Sequence, residues 1–539
     1  MKLKGLLWGA CVCAVLAGCS NDDVAVDNGN GTVESTGNAY MKVRIAMAGG
    51  PSSRATEGKY DYGSTDEQSI DNVFFMFYDN AGNWVADGKL QENVTVNGST
   101  PQEGKDDGNV EAIAEAVVAL ELQEGEAFPT QVVAYVNMKD KQTTLSKKSI
   151  TDAKKEAATS VYTYADGKYS NFVMTNSTYL KDGAEKIGTD VARDQFFEEE
   201  DAALTAEPVE IYVERLAAKV TVLDSKPTIN DIDAGDYTLT FEPEGYAISG
   251  LNTSEYYLKH VQTAWNSWEW FNEPTDYRCF WAEDPNYNEA ASLAYTSYTE
   301  SKVALGTPQY CMENTMSADY ANLENSTFLI LVGYYTVKDG EGSTVDLSVA
   351  SDGYLYMYAG TAYMANDLKK RLLEQAADDE LAWVKDGQNY KQADENAYEL
   401  ARKGTNNVTL ALKDDTGTTY YTKEGDSYTE IADIEEFNAG LSTYLEYFGS
   451  VEAFEGGKAY YAEPIAHFGG TQTDDKTGAI GVVRNHSYQI TVTHVSGLGE
   501  GVFNPAEDIQ PTDTKKTYYV GAKLNILSWK TVSQSVSFD

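Results

Sequence analysis

Histidine is nearly missing: the chain has four in 539 residues, His260, His467, His486 and His494. None stands in a His-x-x-x-His spacing. His486 and His494 are eight apart on one presumed strand, where an even spacing puts them on one face. A zinc site there needs further ligands, and packing against the sheet is the plainer role. Gly-x-Ser-x-Gly and P-loop patterns are absent as well. With no nucleophile–base pair in view, the chain reads as a non-enzyme, and no cofactor or metal is called for. Asp231, Asp233 and Asp236 lack a full calcium-loop pattern and read as a solvated turn.

Basic residues are also short. Lysine and arginine number 41 against 84 acids, a net charge of −43. A phosphate polymer would be repelled, which argues against a nucleic-acid partner. Such acidity suits a surface-exposed protein. There is no short fixed-period repeat. Cysteine is sparse at five. Cys11 and Cys13 fall in a targeting segment, leaving Cys19, Cys279 and Cys311. In an exported protein Cys279 and Cys311 form a disulfide or stay as buried free thiols, and both alternatives stand.

Lys2 and Lys4 make a basic start, and Gly5 to Leu16 is mostly apolar but too short to span a bilayer as a mature helix. It ends Leu16-Ala17-Gly18-Cys19. Small residues before a cysteine fit a bacterial lipoprotein signal, with Cys19 taking the lipid. A polar Gly/Asn/Thr linker then runs to about Asn38. It tethers the precursor to a membrane through the lipid alone and holds the domain away from it.

What the chain does have is β pattern. Tyrosine alone counts 38, amid repeated Val and Thr runs that favour strands. Met41, Val43, Ile45 and Met47 alternate with Lys42, Arg44 and Ala46, the period of a half-buried strand. A Gly-Gly-Pro-Ser-Ser loop follows and ends in Arg54-Ala55, a site suited to a trypsin-like protease. A cut there separates a core strand from its domain and leaves an apolar groove with unpaired backbone. The tail repeats the alternation. Tyr518, Val520, Ala522, Leu524 and Ile526 form one series; Val532, Val536 and Phe538 form a second, and either is able to refill a groove.

Between these ends, strands are predicted at Ile70–Tyr78, Ala112–Leu122, Gln131–Asn137, Phe328–Val337, Tyr354–Tyr358, Val408–Leu412, Tyr460–Phe468 and Val482–Val495. Val209–Val222 reads as two strand halves near a domain boundary. Tyr237–Phe241 and Gly245–Leu251 read as a hairpin, and Glu198–Asp201 as an acidic loop. Helices are predicted at Ala365–Ala377 and within Glu430–Phe448, with a loop or short helix in 139–160. Many short strands and few helices make the chain mainly β, built from β-sandwiches. The expected division is signal peptide 1–19, propeptide 20–54, N-terminal sandwich 55–212, C-terminal sandwich 213–517 and donor tail 518–539.

Several segments carry a family resemblance. They are Val213-Glu214-Arg215-Leu216-Ala217-Ala218-Lys219-Val220, Phe280-Trp281-Ala282 with Pro285-Asn286-Tyr287, and Glu313-Asn314-Thr315. Next are Tyr460-Tyr461-Ala462-Glu463-Pro464-Ile465-Ala466-His467, then Val483-Arg484-Asn485-His486-Ser487-Tyr488 with Gly497-Leu498-Gly499. In this order the chain resembles the fimbrillins of type V pili in Bacteroidales, most closely the major subunit of the minor (short) fimbria. The resemblance implies two transthyretin-like β-sandwich domains with a few short helices. It implies export as an outer-membrane lipoprotein, then cleavage after an Arg by an Arg-specific surface protease. That loss of the first strand is followed by donor-strand exchange from the tail of the next subunit. Arg54 and Ala55 stand at the matching position.

The implied partners are further copies of the chain, tip and anchor fimbrial subunits, and host or bacterial surface receptors. The implied place is a fimbrium on the cell surface, supporting adhesion, colonisation and biofilm. Two other readings stand beside it: a tip or anchor subunit, and a glycan-binding surface lipoprotein. The second would use Trp265, Trp268, Trp270, Phe271 and Trp281, which otherwise cover a core or an inter-subunit face.

Overall fold

In the first domain the strands are β1 (Gly37–Ala48), β2 (Val73–Tyr78), β3 (Trp84–Leu90), β4 (Thr95–Gly98), β5 (Val110–Leu122), β6 (Gln131–Val136), β7 (Met174–Asn176) and β8 (Val209–Arg215). The computed structural model describes residues 32–535 apart from 34, 49–62, 92–94, 99–109, 182–183, 224–227, 230–231, 264, 266–275, 280, 301, 405, 415–416, 468–480, 511–518 and 529–531. Pairing runs β1-β8-β7-β6-β2-β3-β5, and β5 pairs back onto β1. The sheet is thus closed on itself, and β1 is the strand that closes it. β2 is buried at every residue, as its unbroken apolar run predicts. The turn into β3 is set by Asp79, whose Oδ1 accepts from the amides of Ala81 (2.9 Å) and Asn83 (2.8 Å), with Gly82 supplying a φ of 79°.

The second domain has β9 (Ala218–Val222), β10 (Tyr237–Ser249), β11 (Gln309–Cys311), β12 (Phe328–Asp339), β13 (Lys458–Pro464), β14 (His486–Ser496), β15 (Tyr519–Ser528) and β16 (Val532–Ser535). One sheet runs β11-β9-β14-β15-β16; the other contains β10-β12-β13. Val220 and Val222 of β9 and Tyr488, Ile490 and Val492 of β14 share one core with Leu239 and Phe241 of β10 and Leu329 and Leu331 of β12. That is a two-layer sandwich. Leu216 and Ala217 belong to the first core and Ala218 to the second. The chain therefore crosses over just after β8, a few residues past the 212/213 division expected from sequence.

Three sequence expectations change. The hairpin drawn at Tyr237–Leu251 is one long strand, β10, with its register shifted between Pro243 and Gly245. Proline has no N–H for the ladder, and a Cβ on Gly245 would lie 2.3 Å from the Val303 carbonyl oxygen. The turn-forming residues thus make a bulge, not a reversal. The acidic loop at Glu198–Asp201 runs into a short helix, Glu200–Thr205, with Glu200 and Asp201 in its first turn, where negative charge is favoured. Finally, residues between β12 and β13 build a third core. It packs Leu368 and Leu372 of helix α1 (Ala365–Gln375) and Leu441 and Leu445 of helix α2 (Ile434–Glu446) on Tyr398, Leu410 and Ala453. Asp433 caps α2 by accepting from Glu435 N at 2.9 Å and Glu436 N at 3.0 Å.

Candidate functional site

β1 is held on both sides. It runs antiparallel to β5 from Gly37 opposite Leu122 to Ala48 opposite Val110. It runs parallel to β8 from Val43 opposite Val209 to Met47 opposite Val213. Met41, Val43 and Ile45 are each 0 % exposed. At roughly 1.5–3 kcal/mol each for full burial, the apolar face dominates the hold on this strand. Ala46, on the other face, is buried too. Met47 belongs to the strand, but its side chain lies outside the described residues.

The polar face carries a row of charge. Arg44 stands in register with Glu115 on β5 and Glu210 on β8. Its Nε donates to Glu115 Oε1 at 2.8 Å and its Nη1 to Glu210 Oε1 at 2.9 Å. Lys42 adds a contact to Glu115 at 3.3 Å. The hydrogen bond from Arg44 is the main cause holding the Glu115 carboxyl below its usual range. These side chains are 31 %, 37 % and 42 % exposed for Arg44, Glu115 and Glu210. Each pair is therefore worth on the order of 1 kcal/mol or less.

Arg54 and Ala55 lie outside the described residues, as does Cys19. Beyond residue 62, Glu67 anchors the chain at 1 % exposure. Tyr310 Oη donates to Glu67 Oε1 at 2.7 Å, Lys219 Nζ is 3.2 Å from the same oxygen, and Arg215 Nε donates to the Glu67 carbonyl at 2.7 Å. Burial alone would raise the Glu67 carboxyl, but Lys219 and Arg215, together with hydrogen bonds from Ser64 and Tyr310, hold it low. The anchor ties the segment after residue 62 to both domains.

The tail forms an edge hairpin on the second sheet. β15 pairs antiparallel with β14 from Tyr519 opposite Ser496 to Ser528 opposite His486. β16 pairs back on β15 from Val532 opposite Ile526 to Ser535 opposite Lys523. Val520, Ala522, Leu524 and Ile526 are thus in β15 and Val532 is in β16, while Val536 and Phe538 lie outside the described residues. The structure places the tail on its own domain, not in the first-domain sheet.

Between the two domains lies a buried charge cluster. Arg484 Nη2 is 2.9 Å from Glu255 Oε1, and its Nε donates to Glu313 Oε2 at 2.9 Å. Lys259 Nζ is 2.5 Å from Glu214 Oε1 and donates to the Cys279 carbonyl at 2.8 Å. Glu214 belongs to β8 of the first domain. The Glu255 segment pairs with Ala157 and Ala158, and Ala158 belongs to the core of that domain. Asp284, 3 % exposed, accepts from Thr315 N at 2.8 Å and Asn286 N at 2.7 Å. Burial nonetheless pushes its carboxyl up to about 8. The partners are 171 and 229 residues from Arg484, so no local spacing could have announced them.

The remaining sequence candidates resolve simply. Cys279 and Cys311 are buried free thiols in different cores. Trp265 and Trp281 are 3 % and 0 % exposed in a small core, which removes them from a sugar-stacking surface; Trp268, Trp270 and Phe271 lie outside the described residues. His486 and His494 do not share a face. A register shift between Val492 and His494 moves the inward phase to Val495. His486 instead meets His467, with ring centroids 5.1 Å apart. His467 Nδ1 bonds to Tyr488 Oη at 2.8 Å, and burial holds His467 well below the usual imidazole range. Asp231 lies outside the described residues.

Residues 39–212 match a family described as major fimbrial subunit protein (FimA), and residues 452–535 match the C-terminal region of fimbrillin, major fimbrial subunit protein type IV. The matched parts contain the β1 slot and the tail hairpin. Among solved structures, a fimbrilin from Porphyromonas gingivalis W83 is 12% identical, with 92% of this chain and 98% of that one covered and a TM-score of 0.36. A candidate cell adhesion protein from Parabacteroides distasonis is 14% identical over 91% of this chain and 100% of that one, with a TM-score of 0.35. These likenesses are distant, and the family assignment rests on the two matched regions. No curated protein sequence matches the chain.

Proposed function

We propose, for a chain that belongs to the fimbrillin family of fimbrial subunits, that it is a shaft subunit assembled by donor-strand exchange. Family membership makes it a non-enzymatic, cell-surface subunit that polymerises with other fimbrial subunits. The finer reading has three steps. The precursor is exported and lipidated at Cys19. A surface protease cuts between Arg54 and Ala55, which frees β1 with the leader. A strand from the 518–539 tail of a neighbouring copy then fills the slot between β5 and β8.

One observation carries this reading. The strand that closes the first sheet is covalently continuous with the rest of its domain through the segment holding Arg54-Ala55. Cutting there turns an interior strand into a separate peptide, while Glu67 keeps the downstream chain in place. The refilled slot regains backbone bonds worth on the order of 0.5–1.5 kcal/mol each and several buried apolar side chains. Association costs take back about 4–15 kcal/mol. A head-to-tail contact of this kind does not close, so it extends as a filament.

The test is N-terminal sequencing of protein sheared from cells, with gels run before and after heating. A start at Ala55 and a ladder that collapses on heating support strand exchange. Arg54→Ala should leave a lipidated, folded monomer; normal filaments from that variant would refute the processing step. A lipid-blocked Cys19 on wild-type monomer would favour an anchor subunit instead.

A further inference from the structure

We infer that the strand taken into the β1 slot is β15 of a second copy of this chain, and that its Lys523 replaces Lys42 beside Glu115. This rests on the strand-exchange reading above and decides between the two alternating stretches of the tail.

The slot sets the requirements. When β1 leaves, Glu115 and Glu210 face each other across the gap and lose both Lys42 and Arg44. The incoming strand must be apolar on one face and bring a cation on the other, near its middle. Two carboxylates without a counter-charge would otherwise oppose closure.

β15 meets both requirements. Laid along β1 in the same direction, with Ile526 at the place of Ile45, it puts Leu524 at Val43, Ala522 at Met41 and Val520 at Ala39. Lys523 then stands at Lys42, and Asn525, an amide donor, stands at Arg44 between the two glutamates. Leu527 falls at Ala46, which is 2 % exposed in the closed sheet. The second stretch fits poorly. Val532, Gln534, Val536 and Phe538 put an amide in the middle of the apolar face, which is costly to bury without partners. Its other face, Thr531, Ser533, Ser535 and Ser537, holds no cation.

β15 is also able to leave. It and β16 are the outermost strands of their sheet, and β14 keeps β9 on its other side. Peeling this hairpin breaks no interior pairing. At home β15 has a full neighbour on one side and a four-position ladder to β16 on the other. In the slot it lies between β5 and β8.

The test uses the full chain cut with trypsin, with polymer read as an unheated ladder. Lys523→Glu should lower polymer yield about tenfold or more, and adding Glu115→Lys should restore it. Glu115→Lys alone should give a similar loss without touching the tail, which covers the case of a misfolded tail variant. Removing 529–539 should leave polymerisation intact. Normal ladders from Lys523→Glu, or ladders abolished by removing only 529–539, would overturn the assignment to β15 while strand exchange stands. Normal ladders after removal of 519–539 would overturn strand exchange itself.

Discussion

Arg44 lies between Glu115 and Glu210 at 2.7–2.9 Å and is 31 % exposed. Arg484 lies between Glu255 and Glu313 at 2.9 Å and is 1 % exposed. The two arrangements look alike in distance and differ in solvent. Water and salt screen the first, so its pairs are weak and exchangeable. The second has lost its hydration, so removing one member strands charges in a low-dielectric interior. The exposed row sits on a strand that is proposed to leave; the buried one sits where the two domains must stay joined. In the proposed filament, a subunit loaded from slot to tail would transmit force through that joint.

Breaking the buried set should have the largest effect. Arg484→Met leaves Glu255 and Glu313 without their cation and should destabilise the fold by about 3–5 kcal/mol, read by denaturant unfolding of the uncut chain. A change below 1 kcal/mol would mean the acids take up protons and the cluster is dispensable. Next comes the apolar face of β1. Ile45→Ala should cost about 2–5 kcal/mol in the precursor and nothing in the cleaved polymer, because the strand is no longer there. An equal loss in both would show that β1 is retained.

Asp284 gives a pH signature to the buried set. Its carboxyl is raised in the fold to about 8, chiefly by burial. A raised acid contributes stability that is fully present below its unfolded pKa and is lost as pH rises through about 8. The uncut chain should therefore melt at progressively lower temperature between pH 5 and 8, and Asp284→Asn should flatten that slope. An unchanged slope would assign it to other groups. The smallest effect belongs to the exposed row: Arg44→Gln should cost no more than about 1 kcal/mol and fade in high salt. A larger, salt-insensitive loss would place Arg44 with the buried class.

β1 was legible because it combines strict alternation with a turn-rich stop, and both are local properties of the chain. The same holds for the periods of β15, α1 and α2, and Asp433 caps the last of these. β10 was misread because Pro243 and Gly245 signal a reversal locally, while pairing with β12 on both sides of the bulge keeps the strand continuous. The shared face of His486 and His494 failed for a related reason: one extra residue in a ladder inverts every side chain beyond it. The third core was missed because its residues come from two helices and several short strands spread along the chain, and only their convergence reveals a common interior.

The amino-acid order by itself determined that this is a mainly β chain with an alternating first strand, a turn-rich stretch ending in an arginine behind it and an alternating tail. Those are matters of period, charge and turn chemistry within a few residues. Only the tertiary structure decided that β1 closes a sheet between β5 and β8, that the tail rests as an edge hairpin on its own domain, and that Arg484 meets Glu255 and Glu313. Each of these depends on strands far apart in sequence being brought into one ladder or one dry interior, where burial decides whether a charge is exchangeable or permanent.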